Sequence, residues 1–189
     1  MHPPVGSTRQ SGGMRRLALL VLVAAVLLAV PKVVDLNALP AQVSDLIGAP
    51  EADRTRAVVV RVTDGDTLKV RLANGSEKDV RILGIDTPEV YPEMQCGGQE
   101  ATAALATLTP VGSRIVLVSD PTQGNRDRYG RLLRYVHRSG DDVGLAQLTS
   151  GRARVFIFND DPLQRAEAYR KAERGARKAD RGSWAACWG

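Results

Sequence analysis

The pattern of apolar and polar positions changes twice along this chain. Residues 17–30 form an unbroken run of fourteen uncharged residues, nearly all Leu, Val or Ala, with Arg15-Arg16 ahead of it and Pro31-Lys32 behind. A helix apolar on every side needs burial all round, and positive charge ahead of an apolar core has the layout of an export signal. Fourteen residues suit a cleaved signal and fall short of the roughly 20 of a spanning helix. Val33-Val34 extend the span if Lys32 snorkels, and Ala38-Leu39-Pro40-Ala41 is a poor cleavage site. Residues 14–34 are therefore read as a signal peptide or an N-terminal membrane anchor, with Arg15 and Arg16 cytoplasmic if the segment is retained. Residues 1–13, polar and rich in Gly, Pro and Ser, read as disordered. Residues 35–54 read as a stalk. On either reading the domain over 55–186 lies outside the cytoplasm, and 187–189 close the chain.

Beyond the stalk the period shortens to that of strands. The Val-rich stretch 56–62 predicts one strand, and 67–72 a second that leads into Asn74-Gly75, the strongest short hairpin signal. Residues 79–85 form the return strand. A two-residue turn pairs Ala73 with Ser76 and sets Leu83 opposite Asp66, so Asp66 and Asp86 reach the same end of the sheet. Strict alternation puts Arg81 and Asp86 on opposite faces, which a bulge or bend near Gly84 would reconcile.

Farther on, 97–108 is rich in Ala and Leu and predicts a helix stopped near Pro110. Residues 114–119 predict a fourth strand, 121–130 a polar loop and 132–137 a fifth strand. A short helix over 143–149 has Gly151 as its C-cap. Asp161-Pro162 open a last helix to about Lys178, with Asp as N-cap and Pro at the first helical position.

Charge is divided unevenly. Residues 42–111 hold seven Lys or Arg against eleven Asp or Glu, whereas 112–189 hold fifteen against nine. The acidic half suits a cation site, and the basic half suits polyanions. Cys96 and Cys187, the only two cysteines, both follow the export segment. An oxidising compartment would pair them; two free thiols are the other reading.

Three short segments carry the chemistry: Thr63-Asp64-Gly65-Asp66-Thr67, then 81–89 (Arg-Ile-Leu-Gly-Ile-Asp-Thr-Pro-Glu), then Asp127-Arg128-Tyr129-Gly130-Arg131. Alone, each reads as a solvated turn or cap. Together they supply carboxylates for a hard metal ion, two arginines for a phosphate and a spare carboxylate for a proton.

In this order and spacing the three segments resemble the staphylococcal nuclease (thermonuclease-like) family, over residues 56–184. The resemblance implies an α+β fold, a five-stranded OB-type β-barrel with about three helices packed against it. It implies a calcium-dependent nuclease that cuts DNA and RNA, leaves 3′-phosphates and takes nucleic acid as its partner. The apolar segment adds the membrane as a second partner if it is uncleaved, and the chain is expected to be a monomer. It places Ca2+ on Asp66, Asp86 and the main-chain carbonyl of Thr87, and the phosphate on Arg81 and Arg131. Glu89 falls where the family has its general base, although it could instead order the water network. Tyr129 matches a tyrosine beside the catalytic arginine. Where the best-known member offers a pair of tyrosines, this chain has Phe156 and Phe158, which read as base-stacking surface or as core. The alternative is an OB-fold module that binds single strands without cutting them.

Overall fold

The computed structural model describes residues 52–189; the expectations for 1–13, for the apolar segment 14–34 and for most of the stalk lie outside the described residues. Strands β1 (Arg54–Val62), β2 (Thr67–Leu72), β3 (Glu77–Ile82) and β4 (Ile85–Asp86) are followed by helix α1 (Gly98–Leu108). Then come β5 (Arg114–Val118), β6 (Leu132–Arg138), β7 (Asp141–Asp142), α2 (Val143–Thr149), β8 (Arg154–Val155), α3 (Ala166–Lys178) and the short α4 (Ser183–Ala186).

The main sheet runs β3-β2-β1-β5-β6-β7, and a parallel pairing of β3 with β6 closes the first five strands into a barrel. Every neighbouring pair except that one is antiparallel. This is the five-stranded OB-type barrel expected from the sequence, with α1, α2 and α3 packed on it. Strand alternation fills the interior: Leu68 and Val70 of β2, Val80 and Ile82 of β3, and Leu117 of β5 are buried, while the residues between them are exposed or half-buried on β2 and β3. A bulge at Val60 shifts the register of β1 against β2. Among the described residues no helix is long and apolar enough to cross a membrane.

The hairpin differs from expectation by one residue. Thr67 pairs with Arg81 and Leu68 with Val80, and Leu72 N donates to Ser76 O at 2.9 Å. Ala73, Asn74 and Gly75 therefore form a three-residue loop, not the two-residue turn that pairs Ala73 with Ser76. Gly75 takes the left-handed conformation (φ 81°) that such a loop needs at its last position. The slip places Ile82, not Leu83, across from Asp66, and Ile82 N donates to Asp66 O at 2.8 Å.

The return strand is also shorter than expected. It stops at Ile82, turns at Leu83-Gly84, and resumes as β4, which pairs with β8. Gly84 has φ 79°, and a Cβ there would lie 2.7 Å from Leu163 Cδ2. Only glycine fits both the conformation and the space.

Asp161-Pro162 do not open the last helix, which begins at Ala166. Tertiary bonds hold 161–165 out of helical form: Pro162 O accepts from Thr122 Oγ1 and Gln123 Nε2, both at 2.6 Å, and Leu163 is buried in the core. Gln164 N donates to Asp120 at 2.9 Å. Gly151, expected as the C-cap of α2, lies one residue past the observed cap, Ser150.

Asp120 anchors this side of the molecule. Its carboxylate is buried and accepts from Thr122 N and Oγ1, from the Tyr135 hydroxyl and from Gln164 N, so it joins the loop after β5 to β6 and to the approach of α3. Tyr135 in turn meets Tyr169 of α3 edge to face, with centroids 6.1 Å apart. A disulfide links Cys96 to Cys187 across 91 residues; closing a loop of that length removes roughly 4–5 kcal/mol of chain entropy from the unfolded state.

Burial pushes the Asp120 carboxyl up, but the hydrogen bonds from Thr122, Tyr135 and Gln164 outweigh it and hold the group below its ordinary 3.8. A depressed carboxylate contributes stability that is complete above its unfolded value and is lost as pH falls through the folded value. Asp120→Asn is expected to lower stability at neutral pH by about 1–3 kcal/mol and to flatten the loss below about pH 4. Urea midpoints measured across acid pH check this, and equal acid limbs in wild type and variant would contradict it.

Candidate active site

The site lies at the rim where β2 begins and β3 ends. Asp66 sits one residue before β2 with its carboxylate 1% exposed. A charge so far from water has to be satisfied within the protein. Oδ1 accepts from Thr67 Oγ1 at 3.0 Å, and Oδ2 accepts from Thr87 N at 3.0 Å and Thr87 Oγ1 at 3.2 Å. The Arg81 guanidinium closes the set, with Nη1 on Asp66 Oδ1. Its Nη2 donates to Asp86 Oδ1 at 2.7 Å and to Ile85 O at 3.2 Å. One guanidinium thus holds together two carboxylates that are 20 residues apart in sequence. The bend at Gly84 brings Asp86 round to the face of Arg81.

Gly65 makes this closure possible. A Cβ there would lie 2.6 Å from Thr87 Oγ1 and 2.7 Å from the Ala101 side chain, so the turn can approach β4 and α1 only without a side chain. Gln147 of α2, fully buried, braces the same turn: its Nε2 donates to Gly65 O at 2.7 Å and to Ala101 O at 3.0 Å.

Arg131 approaches from the other side of Thr67. Asp127 aims it, taking Nε at 2.6 Å on Oδ2 and the Arg131 N at 3.0 Å on Oδ1. Arg131 Nη1 donates to Thr67 Oγ1 at 3.4 Å. Burial raises the Asp127 carboxyl, but hydrogen bonds from Arg131 and Tyr129 N outweigh it, and the group stays below the ordinary range. The loop is held to the barrel by Arg134, which donates to Asn125 O and Oδ1. Tyr129 is exposed, with the Arg128 and Arg131 guanidinia 4.7 and 5.3 Å from its ring centroid.

Glu89 extends from the loop before α1, fixed by a paired contact of its backbone with Gln95: Glu89 N donates to Gln95 Oε1 at 3.0 Å and Gln95 N donates to Glu89 O at 2.9 Å. Partial desolvation, and then the charges of Asp64 and Asp86, push its carboxyl above the usual range despite Arg81 and Arg131. Glu89 follows Thr87 by two residues, so its loop leaves from the same rim. Burial likewise raises Asp64, against a hydrogen bond from Thr67 and the charges of Arg81 and Arg131.

The structure therefore gathers Asp66, Arg81, Asp86, Thr87, Glu89 and Arg131 at one rim, with Tyr129 beside them. Cys96 and Cys187 form the disulfide, beside Gly97 at the start of α1. Phe156 and Phe158 are exposed rather than core, 47% and 62%, and Phe156 N donates to Gly84 O at 3.0 Å, so this segment runs beside β4. Asp64, Asp127 and Gln147 belong to the site as well. For Asp64 and Asp127 the short-range signal is the turn preference of Asp, which any solvated loop shares; Gln147 lies on α2 and has no such signal.

Arg81 occupies Asp66 and Asp86, so a divalent cation would have to displace its guanidinium, and its donors would then be those two carboxylates and main-chain oxygen near Thr87, with no nitrogen or sulfur among them. That chemistry fits a hard ion of the calcium or magnesium class. Among the described residues no group of three or more His, Cys, Asp or Glu clusters as a metal site, so the remaining ligands would be main-chain oxygen and water.

A closed five-stranded barrel with paired carboxylates and two braced arginines at its rim defines the thermonuclease-like class. Residues 79–186 match the family described as staphylococcal nuclease homologue, and the chain belongs to that family. Endonuclease YncB of Bacillus subtilis is 31% identical over 150 residues, covering 76% of this chain and 70% of the relative. The SPbeta prophage-derived endonuclease YokF of the same organism is 35% identical over 127 residues, 66% of this chain but 42% of the relative. The thermonuclease of Staphylococcus hyicus is 28% identical over 141 residues, 72% of this chain and 80% of the relative.

Gly65→Ala is expected to force Thr87 off Asp66, at a cost of about 1–3 kcal/mol in stability. Chemical denaturation measures it; an unchanged midpoint would show that the close approach is not required.

Proposed function

We propose that the chain is a divalent-metal-dependent nuclease that hydrolyses phosphodiester bonds of DNA or RNA. The observation that carries this is the Arg81 guanidinium shared by Asp66 and Asp86, facing Arg131 across Thr67. Two arginines with planar forks suit the oxygens of a phosphate, and grip more tightly as charge builds on them in the transition state. Asp127 pre-orients the Arg131 fork, while Arg81, held by Asp66 and Asp86, would turn its fork to the phosphate once those carboxylates go to the ion. Glu89, raised by its surroundings, takes a proton from the attacking water or orders that water.

Asp66, Asp86 and the Thr87 carbonyl would hold the ion, and calcium suits these ligands. When bound, it supplies Lewis-acid polarisation of the phosphate. Following the family pattern, the bond broken is that to the 5′ oxygen, leaving a 3′-phosphate. Tyr129, Phe156 and Phe158 offer exposed rings for bases. The same rings would serve an OB module that only binds single strands, so turnover separates the two readings. The apolar N-terminal run and the disulfide support action outside the cytoplasm, with the domain anchored or released.

Full-length protein incubated with single-stranded DNA, double-stranded DNA or RNA at millimolar calcium is expected to release acid-soluble nucleotides, and to release none with chelator. Silence on all three substrates would overturn the enzyme reading. Arg81→Lys and Arg131→Lys keep the charge but lose the fork, and each is expected to lower kcat/KM by about a hundredfold or more. Near-normal turnover in either variant would remove that arginine from the site.

A further inference from the structure

The barrel carries a second basic surface that the catalytic rim does not use. Arg54 and Arg56 of β1, Arg71 of β2, Arg114 of β5 and His137 of β6 line a groove of about 760 Å³. Register explains the convergence. Val58 is opposite Arg71 on one side and Arg114 on the other, and Val116 lies between Arg56 and His137. Residues directly opposite on paired strands share a face, so two adjacent rows present Arg71, Arg114 and Arg56 outward, with half-buried His137 at one end, over a floor of half-buried Val58 and Val116.

This charge is poorly compensated. Arg71 pairs with Glu77 at 2.9 Å. Among the described residues Arg54, Arg56 and Arg114 form no ion pair, and the buried Nε2 of His137 has no hydrogen-bond partner. Guanidinia gathered in a concavity focus positive potential on whatever enters it, and their forks match phosphate oxygens. The groove and the catalytic rim share one face of β2. Thr67, Lys69 and Arg71 alternate onto the outer face of β2. The first contacts Arg131 in the site, and the last lines the groove. The separation along the strand is about 13 Å. Arg61, which pairs in register with Lys69, adds charge to the path between them.

We propose that this groove is a second binding site for the phosphodiester backbone, engaging a nucleic-acid strand several phosphates away from the bond held at Arg81 and Arg131. The direction of the strand rests on the nuclease reading; the binding itself does not. A lipid surface is the less suitable occupant. The groove is concave, and none of the exposed large apolar residues, Tyr91, Met94, Val111, Tyr129, Phe156 and Phe158, lines it to insert among acyl chains.

Equilibrium binding of fluorescein-labelled single-stranded DNA to the full-length protein, in chelator to prevent cleavage, reads the groove without activity. In Arg56→Ala/Arg114→Ala, affinity for strands longer than about 16 nucleotides is expected to fall about tenfold or more, while that for strands of about four nucleotides stays the same. The slope of log affinity against log salt is expected to flatten by about one to two units. Arg56→Lys/Arg114→Lys should keep the slope, which separates lost charge from any disturbance of the fold. Unchanged affinity and slope for long strands would overturn the proposal. So would a variant that keeps strand binding but no longer sediments with phosphatidylcholine vesicles containing phosphatidylserine, because the groove would then be a lipid site. If long-strand binding drops as expected while the wild type cuts nothing with calcium, the nuclease reading fails and the groove stands.

Discussion

Burial of the Asp66 charge is the constraint on which the rest of the rim depends. A carboxylate withdrawn from water is tolerated only when fully partnered. Asp66 draws its partners from three places: Thr67 on its own strand, Thr87 beyond the bend, and Arg81 on the return strand. Reaching Thr87 requires the chain to leave β3 and turn at Gly84. It also requires Gly65 to have no side chain, so that Thr87 and α1 can close over the turn. The same turn delivers Asp86 to the free side of Arg81. The condition that satisfies one buried charge therefore assembles the site.

A second set of contacts fixes the opposite wall. Asp127 holds Arg131 by side chain and backbone, and Arg134 ties that loop to the barrel through Asn125. Removing a partner from either wall leaves an uncompensated charge, so stability and the aim of the arginines are linked at these positions. Outside the rim, Asp120 does comparable work for the packing of α3, far from any chemistry. Two buried carboxylates of similar appearance in the sequence thus serve the site in one case and the scaffold in the other.

Much of this was legible in the sequence. The five barrel strands and the three longer helices follow from period and from turn residues, and the three motifs pick out the residues that meet at the rim; the short α4 is not among the elements predicted. The misses have physical reasons. Asn74-Gly75 signals a hairpin but suits both a two-residue and a three-residue loop, and the choice moved the register by one. Asp161-Pro162 is a good local helix start, overridden by the bonds of Pro162 O and by burial of Leu163. Gln147 acts through contacts with Gly65 and Ala101, distant in sequence, which no local pattern encodes, whereas Asp64 and Asp127 make short-range contacts that an ordinary turn also makes. Phe156 and Phe158 follow the pairing of β8 with β4, which joins segments far apart in the sequence. The basic groove needs the register of four strands before its arginines converge.

The most direct test of the central claim is a double-mutant cycle on unfolding free energy, in chelator, with Asp66→Asn and Arg81→Gln. If Asp66 and Arg81 form one electrostatic unit, the second substitution costs much less once the first is made, with a coupling of about 1–3 kcal/mol. Costs that add to within about 0.5 kcal/mol would contradict it, because Asp66 would then be satisfied without Arg81 and the rim would not be organised around its charge.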